Sequence, residues 1–170
     1  HPQLIMASCK GFLSGPYQDR TALDEVVQMM TGLAYMTGPT GRPLRAGSSV
    51  NDIMGGLFAA FSVVAALMER QKTGRGRELR VGLFESCLLL VAQHMVQFEL
   101  EGKNPPPMPE RDFSWPIYDT FTDKNGAQIF VAAVTDGQWA TVCNLLGLSQ
   151  LLDDARLQNR PDQISARSWT

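Results

Sequence analysis

Apolar positions set out the elements of this chain before any chemistry does. Leu4 to Ser8 is a short apolar run that reads as a strand, and KGFLSGPYQDR behind it carries the Gly and Pro of a loop. Leu23, Val26, Val27, Met30 and Leu33 then recur at spacings of three and four, which predicts a helix from Thr21 to about Leu33 with the Thr21 hydroxyl as its cap. Residues 36–51, MTGPTGRPLRAGSSVN, form a loop that delivers the chain to Asp52. A long, mostly apolar helix is expected from Asp52 to about Lys72, roughly 30 Å in length. Thr73-Gly74-Arg75-Gly76 ends it. Glu78 to Phe84 reads as a strand and Glu85 to Glu101 as a second long helix. Strand, helix, helix, strand, helix is the order of an α/β layer structure.

Gly102 to Pro116 contains Pro105-Pro106-Pro107 and Pro109, which cannot continue a helix, so a linker is expected there. The predicted organisation is a larger portion over 1–102, a Pro-rich linker over 103–116 and a smaller unit over 117–170. The smaller unit opens with IYDTFTDKNGAQIFVAAV, a β-hairpin in which Asn125-Gly126 supplies the positive φ values of a tight turn. Asp136 is the expected N-cap of a short helix ending at Gly147, and SQLLDDARL adds another. Trp115, Trp139 and Trp169 read as core or interface anchors.

Composition narrows the function classes. The 170 residues suffice for one domain with its own core, and 15 Lys plus Arg stand against 17 Asp plus Glu. No basic run marks a nucleic-acid surface. Cys9, Cys87 and Cys143 are odd in number and form no CxxC pair, which suits a reducing, cytoplasmic compartment. The opening HPQLIMASC shows no signal peptide and reads as the interior of a domain. The longest uncharged run, Ile53 to Met68, has 16 residues, so a buried helix of a soluble protein is expected, with no membrane partner. Neither zinc-ligand spacing nor a GxxxxGK[ST] loop is present, so no metal is expected.

The chemistry gathers at AGSSVNDIMGGLFAAF, residues 46–61. A carboxylate at a helix start meets free N–H groups and the positive end of the dipole, so Asp52 should be ionised. Its plain reading is an N-cap. Yet Gly55 and Gly56, expected in the first turn, each cost about 1 kcal/mol relative to Ala. Either another element packs closely there, or a substrate needs the room. An ionised Asp with open space beside it can attack an activated acyl group.

The segments LIMASCKGFLSGPYQDR, QMMTGLAYMTG, SVNDIMGGLFAAFSVVAALMERQKTGRGRELRVGLFES and YDTFTDKNGAQIFVAAVTDGQWATVCNLLG occur in this order and together resemble the middle of a family III (CaiB/BaiF type) CoA-transferase. The resemblance covers nearly the whole chain. It implies a Rossmann-like large-domain portion with long helices, followed by the start of a small α+β domain. It makes Asp52 the nucleophile that transfers CoA between an acyl-CoA and a carboxylic acid, through an aspartyl anhydride and an aspartyl-CoA thioester. Coenzyme A enters as the acyl-CoA substrate. Lys10, Gly11 and Phe12 match the family's Ser/Lys-Gly-Phe segment, where the chain approaches CoA, and a Lys there can meet a phosphate. Arg75, with Arg77, lies in the TGRGR turn and is read either as a CoA contact or as a structural arginine.

Family chains are roughly twice as long and form interlocked dimers, so the resemblance implies a central fragment or truncated member, and a homodimer. Racemases of the family carry a His in a GHD sequence before the first helix. Ala22-Leu23-Asp24 stands there in this chain, and Leu23 cannot transfer a proton. His94 lies mid-helix and reads as a packed or surface residue, and Ser86 and Cys87 as packing at a strand-to-helix junction. Oxalate-using members have a Gly-rich loop where this chain reads PPPMPERDFSWPIYD, which argues against oxalate as acceptor. Phe113 to Tyr118 are the residues to examine for acid choice. Two other readings stand beside the transferase: a truncated, non-catalytic CoA-binding or dimerisation module, and an acyl-CoA racemase or isomerase.

Overall fold

The computed structural model describes residues 1–168 as two compact units, His1–Arg111 and a second from Asp112 onward. The first holds β1 (Met6–Lys10), α1 (Asp24–Met30), α2 (Leu33–Thr37), α3 (Val50–Thr73), β2 (Glu78–Gly82), α4 (Leu83–Glu101) and a short 3-10 turn at Met108–Glu110. The second holds β3 (Ile117–Thr122), β4 (Gln128–Ala133), α5 (Asp136–Leu145), 3-10 turns at Ser149–Leu151 and Ala155–Leu157, and α6 (Arg160–Ser165). The class is the expected mixture of helix and strand.

β1 and β2 pair in parallel, in register from Met6 opposite Glu78 to Lys10 opposite Gly82. Both differ from the reading of the sequence: β1 runs two residues later than Leu4–Ser8, and β2 stops at Gly82 because Leu83 already begins α4. The predicted helix from Thr21 to Leu33 divides in two. Gly32 takes φ 85°, a left-handed conformation that ends α1 and turns the chain into α2. Thr21 caps neither, since α1 starts after Leu23. The C-terminal stops were legible: Gly74 and Gly102 adopt φ 69° and 67° and close α3 and α4 by donating to Arg70 O and Phe98 O.

α3 corrects three expectations. It begins at Val50 with Ser49 as N-cap, so Asp52 is the third helical residue rather than the cap, and the two glycines fall in the second turn. Its 24 residues outrun the uncharged stretch at both ends, and by length and apolarity it would suit a bilayer. One side packs on β1, β2, α1 and α4, as a helix of a layered fold does. The expected burial is confined to that side: Gly55 and Ala66 are buried, while Ile53, Leu57, Phe61, Val64 and Met68 form an exposed stripe. A two-stranded sheet covers no more than one face.

The stretch read as a linker is partly folded onto the first unit. Glu110 accepts from the Thr40 N–H at 2.7 Å and the Thr40 hydroxyl at 2.5 Å, which holds its carboxyl below the usual range, and Pro105 and Pro107 are buried.

In the second unit β3 and β4 form the expected hairpin, from Ile117 opposite Ala133 to Thr122 opposite Gln128. The turn is not the one read from Asn125-Gly126. Only Gly126 has a positive φ, 86°. Asp123 makes the turn instead, its Oδ1 accepting the N–H groups of Asn125 and Ala127 at 2.8 Å each. The cap of α5 is Thr135, not Asp136: its side chain accepts the Gln138 N–H while Gln138 Oε1 accepts the Thr135 N–H, a reciprocal capping box. Trp139, Cys143, Leu157 and Ala166 form the core of this unit, with Ile117, Leu151 and Leu152 against it. Trp115 lies 4.9 Å from the Tyr118 ring, and Trp169 lies outside the described residues.

Candidate active site

The parallel pairing of β1 with β2 carries Lys10 to the same end of the sheet as Gly82 and the start of α4. Gly11 follows. Its carbonyl accepts the Phe84 N–H at 3.0 Å, and a Cβ on it would come 2.5 Å from the Ala22 Cβ, so the close approach of these segments requires glycine. Phe12 then turns inward. It is buried, with ring centroids 5.6 Å from Tyr17 and 5.8 Å from Phe84, and anchors the strand end.

The first two turns of α3 face this strand end. Asp52, Gly55 and Gly56 line a cavity of about 290 Å³ together with Cys9, Lys10, Gly11, Ala22 and Leu83. Asp52 is exposed, in the first turn of its helix. The two explanations of the glycines divide between them. A Cβ on Gly55 would meet Leu83 Cδ2 at 2.8 Å, so Gly55 serves close packing of α3 on α4. A Cβ on Gly56 would meet nothing within 4 Å, so Gly56 leaves space open one helical turn from Asp52. A second cavity of about 320 Å³ shares Lys10, Gly11 and Ala22 and adds Gln18, Asp19, Arg20 and Thr21. The Arg20 guanidinium lies 4.6 Å from the Tyr17 ring centroid. A carboxylate in an open cavity, with cations at the neighbouring rim, can hold and attack an anionic acyl compound.

Of the residues singled out in the sequence, Asp52, Lys10 and Gly11 therefore share one cavity. Phe12 does not line it. Arg75 lies past the far end of α3, roughly 30 Å along the helix from Asp52. Its N–H donates to Thr73 Oγ1 at 3.2 Å, and Arg77 pairs with Glu69. His94 lines a different cavity of about 490 Å³ between α2 and α4, and burial lowers its pKa. Ser86 donates to Gly82 O at 2.7 Å at the strand-to-helix junction. Cys87 is buried, its Sγ 3.0 Å from Thr31 Oγ1, and desolvation raises its thiol pKa, which keeps it unreactive. Among the described residues no group of three acidic, His or Cys side chains is placed to hold a metal.

A buried polar cluster behind Asp52 escaped the sequence reading: Asp24, Gln28 and Asn51 are 4%, 0% and 0% exposed. Its one local signal is Asp24 and Gln28 at i and i+4 on the helix that buries Val27. The Arg20 rim was likewise invisible, because the cavity exists only once β1 and the Ala22 segment are brought together.

Comparison with known proteins identifies the family. Residues 1–168 match the model of CoA-transferase family III. The succinate–glutarate CoA-transferase of Agrobacterium fabrum is 31% identical over 167 residues, covering 97% of this chain and 42% of the relative. The succinyl-CoA:glutarate CoA-transferase of Mus musculus is 32% identical over 179 residues, covering 98% and 40%. The chain thus spans about two-fifths of the length of the curated relatives it matches. A CaiB/BaiF family protein from Brucella suis, solved by crystallography, superposes with TM-score 0.79 at 30% identity over 98% of this chain and 44% of that one. With the match to its model running from the first residue to the last described, the chain belongs to CoA-transferase family III.

Proposed function

We propose that this chain carries the nucleophile of an acyl-CoA:carboxylate CoA-transferase, that the nucleophile is Asp52, and that the donor is succinyl-CoA with a dicarboxylic acid as acceptor. The observation that carries the reading is the cavity in which Asp52 stands open beside Gly56, Lys10 and Gly11. The donor and the acid class rest on the names of the relatives from Agrobacterium fabrum and Mus musculus.

The Asp52 carboxylate attacks the thioester carbonyl and expels CoA thiolate, leaving a mixed anhydride. The thiolate then attacks the aspartyl carbonyl of that anhydride, releasing the donor acid and forming an aspartyl-CoA thioester. The acceptor carboxylate attacks this thioester, again expelling thiolate, and the thiolate takes the acceptor's acyl group from the second anhydride, which frees Asp52. Each attack needs free space on one side of Asp52, and the open position of Gly56 supports this. Lys10 and Arg20 stand where they would meet anionic ends of CoA or of the acid. Phe12 supports the strand end from the core. Arg75 at the far end of α3 has no part in this reading unless the extended CoA reaches it. The reading also includes a homodimer, supported by the exposed stripe of α3, and a reducing compartment, supported by the three free cysteines.

Intact-mass spectrometry after mixing with succinyl-CoA, followed by hydroxylamine trapping and peptide mapping, tests the proposal. A hydroxamate on Asp52 is expected, and its absence with every short acyl-CoA would move the reading to a non-catalytic module.

The glycines give a second test. Gly56→Ala is expected to raise the stability of α3 by about 1 kcal/mol through helix propensity. The new methyl group also fills the open side of the cavity and slows adduct formation. Gly55→Ala gains less, because its methyl must displace Leu83. Urea midpoints and adduct rates of the two variants, measured together, check both halves.

A further inference from the structure

α3 carries Asp52 but does not cap itself, since the Ser49 side chain makes no bond to the helix. Asp24, the first residue of α1, takes that role from across the fold: its buried Oδ1 accepts the Asn51 N–H at 2.9 Å. Asn51 Nδ2 donates back to the Asp24 carbonyl at 3.2 Å, so the starts of the two helices are tied twice. The other carboxylate oxygen accepts Gln28 Nε2 at 2.6 Å and Arg45 Nη2 at 3.3 Å, and Gln28 Oε1 accepts the Ala46 N–H at 2.7 Å. The loop leading to α3 is thereby held to the same carboxylate as the helix it introduces.

A Ser or Asp at residue 49 with its side chain turned onto the helix would satisfy the same N–H without burying a charge. What the long-range cap adds is a fixed position of the first turn of α3 relative to α1. Asp52 follows Asn51 directly, and its peptide belongs to the tethered turn.

We propose that Asp24 is a positioning residue for Asp52: acting through the Asn51 peptide, it fixes the rotation and height of the first turn of α3, and so the direction from which the carboxylate meets a thioester. The inference rests on the reading of Asp52 as nucleophile. Asp24 does not touch the reacting atoms, so its loss is felt in the rate of acylation and not in the binding of the donor.

The test is single-turnover acylation of Asp52 by succinyl-CoA, read as hydroxamate, in the unaltered chain and in Asp24→Ala, Asp24→Asn, Asn51→Ala and Glu25→Gln. Asp24→Ala is expected to slow acylation by about 10²-fold while the half-saturating donor concentration stays within about twofold. Asp24→Asn keeps an oxygen for the Asn51 N–H and recovers most of that loss. Glu25→Gln removes only the exposed pair with Arg45 and acylates as the unaltered chain does. Should Asp24→Ala not fold, Asn51→Ala keeps the backbone bond, loses the side-chain one and shows a smaller drop of the same kind. Acylation at the unaltered rate in a folded Asp24→Ala or, failing it, in Asn51→Ala overturns the proposal, as does a change confined to half-saturation or an Asp24→Asn no better than Asp24→Ala. No adduct on the chain with Asp24 intact is a different result: it sinks the nucleophile reading itself, and this role with it.

Discussion

Asp52→Asn is expected to give no trapped hydroxamate and to lower CoA transfer at least about 10⁴-fold, the scale seen when a residue of a covalent catalytic unit is removed. The amide nitrogen's lone pair is delocalised, and neither amide atom can form the anhydride on which the later steps depend. The same substitution costs the fold little. Asp52 makes its stabilising contribution as a charge in the first turn of α3, worth about 0.3–1 kcal/mol at an exposed site. A large loss of chemistry beside a small loss of stability separates the transferase from a non-catalytic module, which would show the second alone. Asp52→Glu keeps the charge and moves the carboxylate outward by one methylene. It is expected to retain activity, reduced about 10²-fold by misplacement. Solvent deuterium should not enter the α-carbon of a branched acyl-CoA in any of these proteins. Its entry would restore the isomerase reading that Leu23 argues against.

Trp139→Ala is expected to have the largest effect on stability. Trp139 is 6% exposed and lies at the centre of the second unit's core, with Cys143, Leu157 and Ala166. Truncating a buried Trp costs about 3–5 kcal/mol, through lost transfer free energy and the cavity left behind. A unit of this size rarely holds more than about 3–5 kcal/mol of net stability. One substitution therefore removes as much as the unit has. Hydrogen exchange resolved by peptide is the measurement: segments within 117–166 should lose protection, and retention of protection there would show that the Trp pocket is refilled by its neighbours.

The boundaries that sequence showed best are those set by local backbone chemistry. Gly74 and Gly102 close their helices where a glycine follows an apolar period, because left-handed φ is a property of the residue itself. The failures share a cause. Gly32 also adopts positive φ, yet the apolar spacing runs through it from Met30 to Leu33 and hides the break. Thr135-Asp136-Gly137-Gln138 carries a capping box, but Asp136 is the more familiar cap residue and drew the reading one position late. In the hairpin, Asp123 makes the turn with its side chain where Asn125-Gly126 seemed sufficient. For the candidate site, the motifs of the sequence single out Asp52, Lys10 and Gly11, and the structure puts these three around one cavity. The hydrogen bonds of Asp24 were not legible, since its partners stand 4, 21 and 27 positions away and only tertiary folding brings them together.

The parallel pairing of β1 with β2 also sets a timetable for synthesis. Met6 waits for Glu78, and Lys10 for Gly82. At roughly 5–20 residues per second on the ribosome, several seconds separate the emergence of the two strands. α3 is made within that interval and is complete at Thr73, five residues before Glu78, while the sheet that covers its inner face does not yet exist. Closing so long a loop is slow for entropic reasons, and non-local strand pairing comes late. Asp52 is thus made before the cavity around it can close, so a nascent chain stalled before Gly82 would carry the aspartate but no cavity.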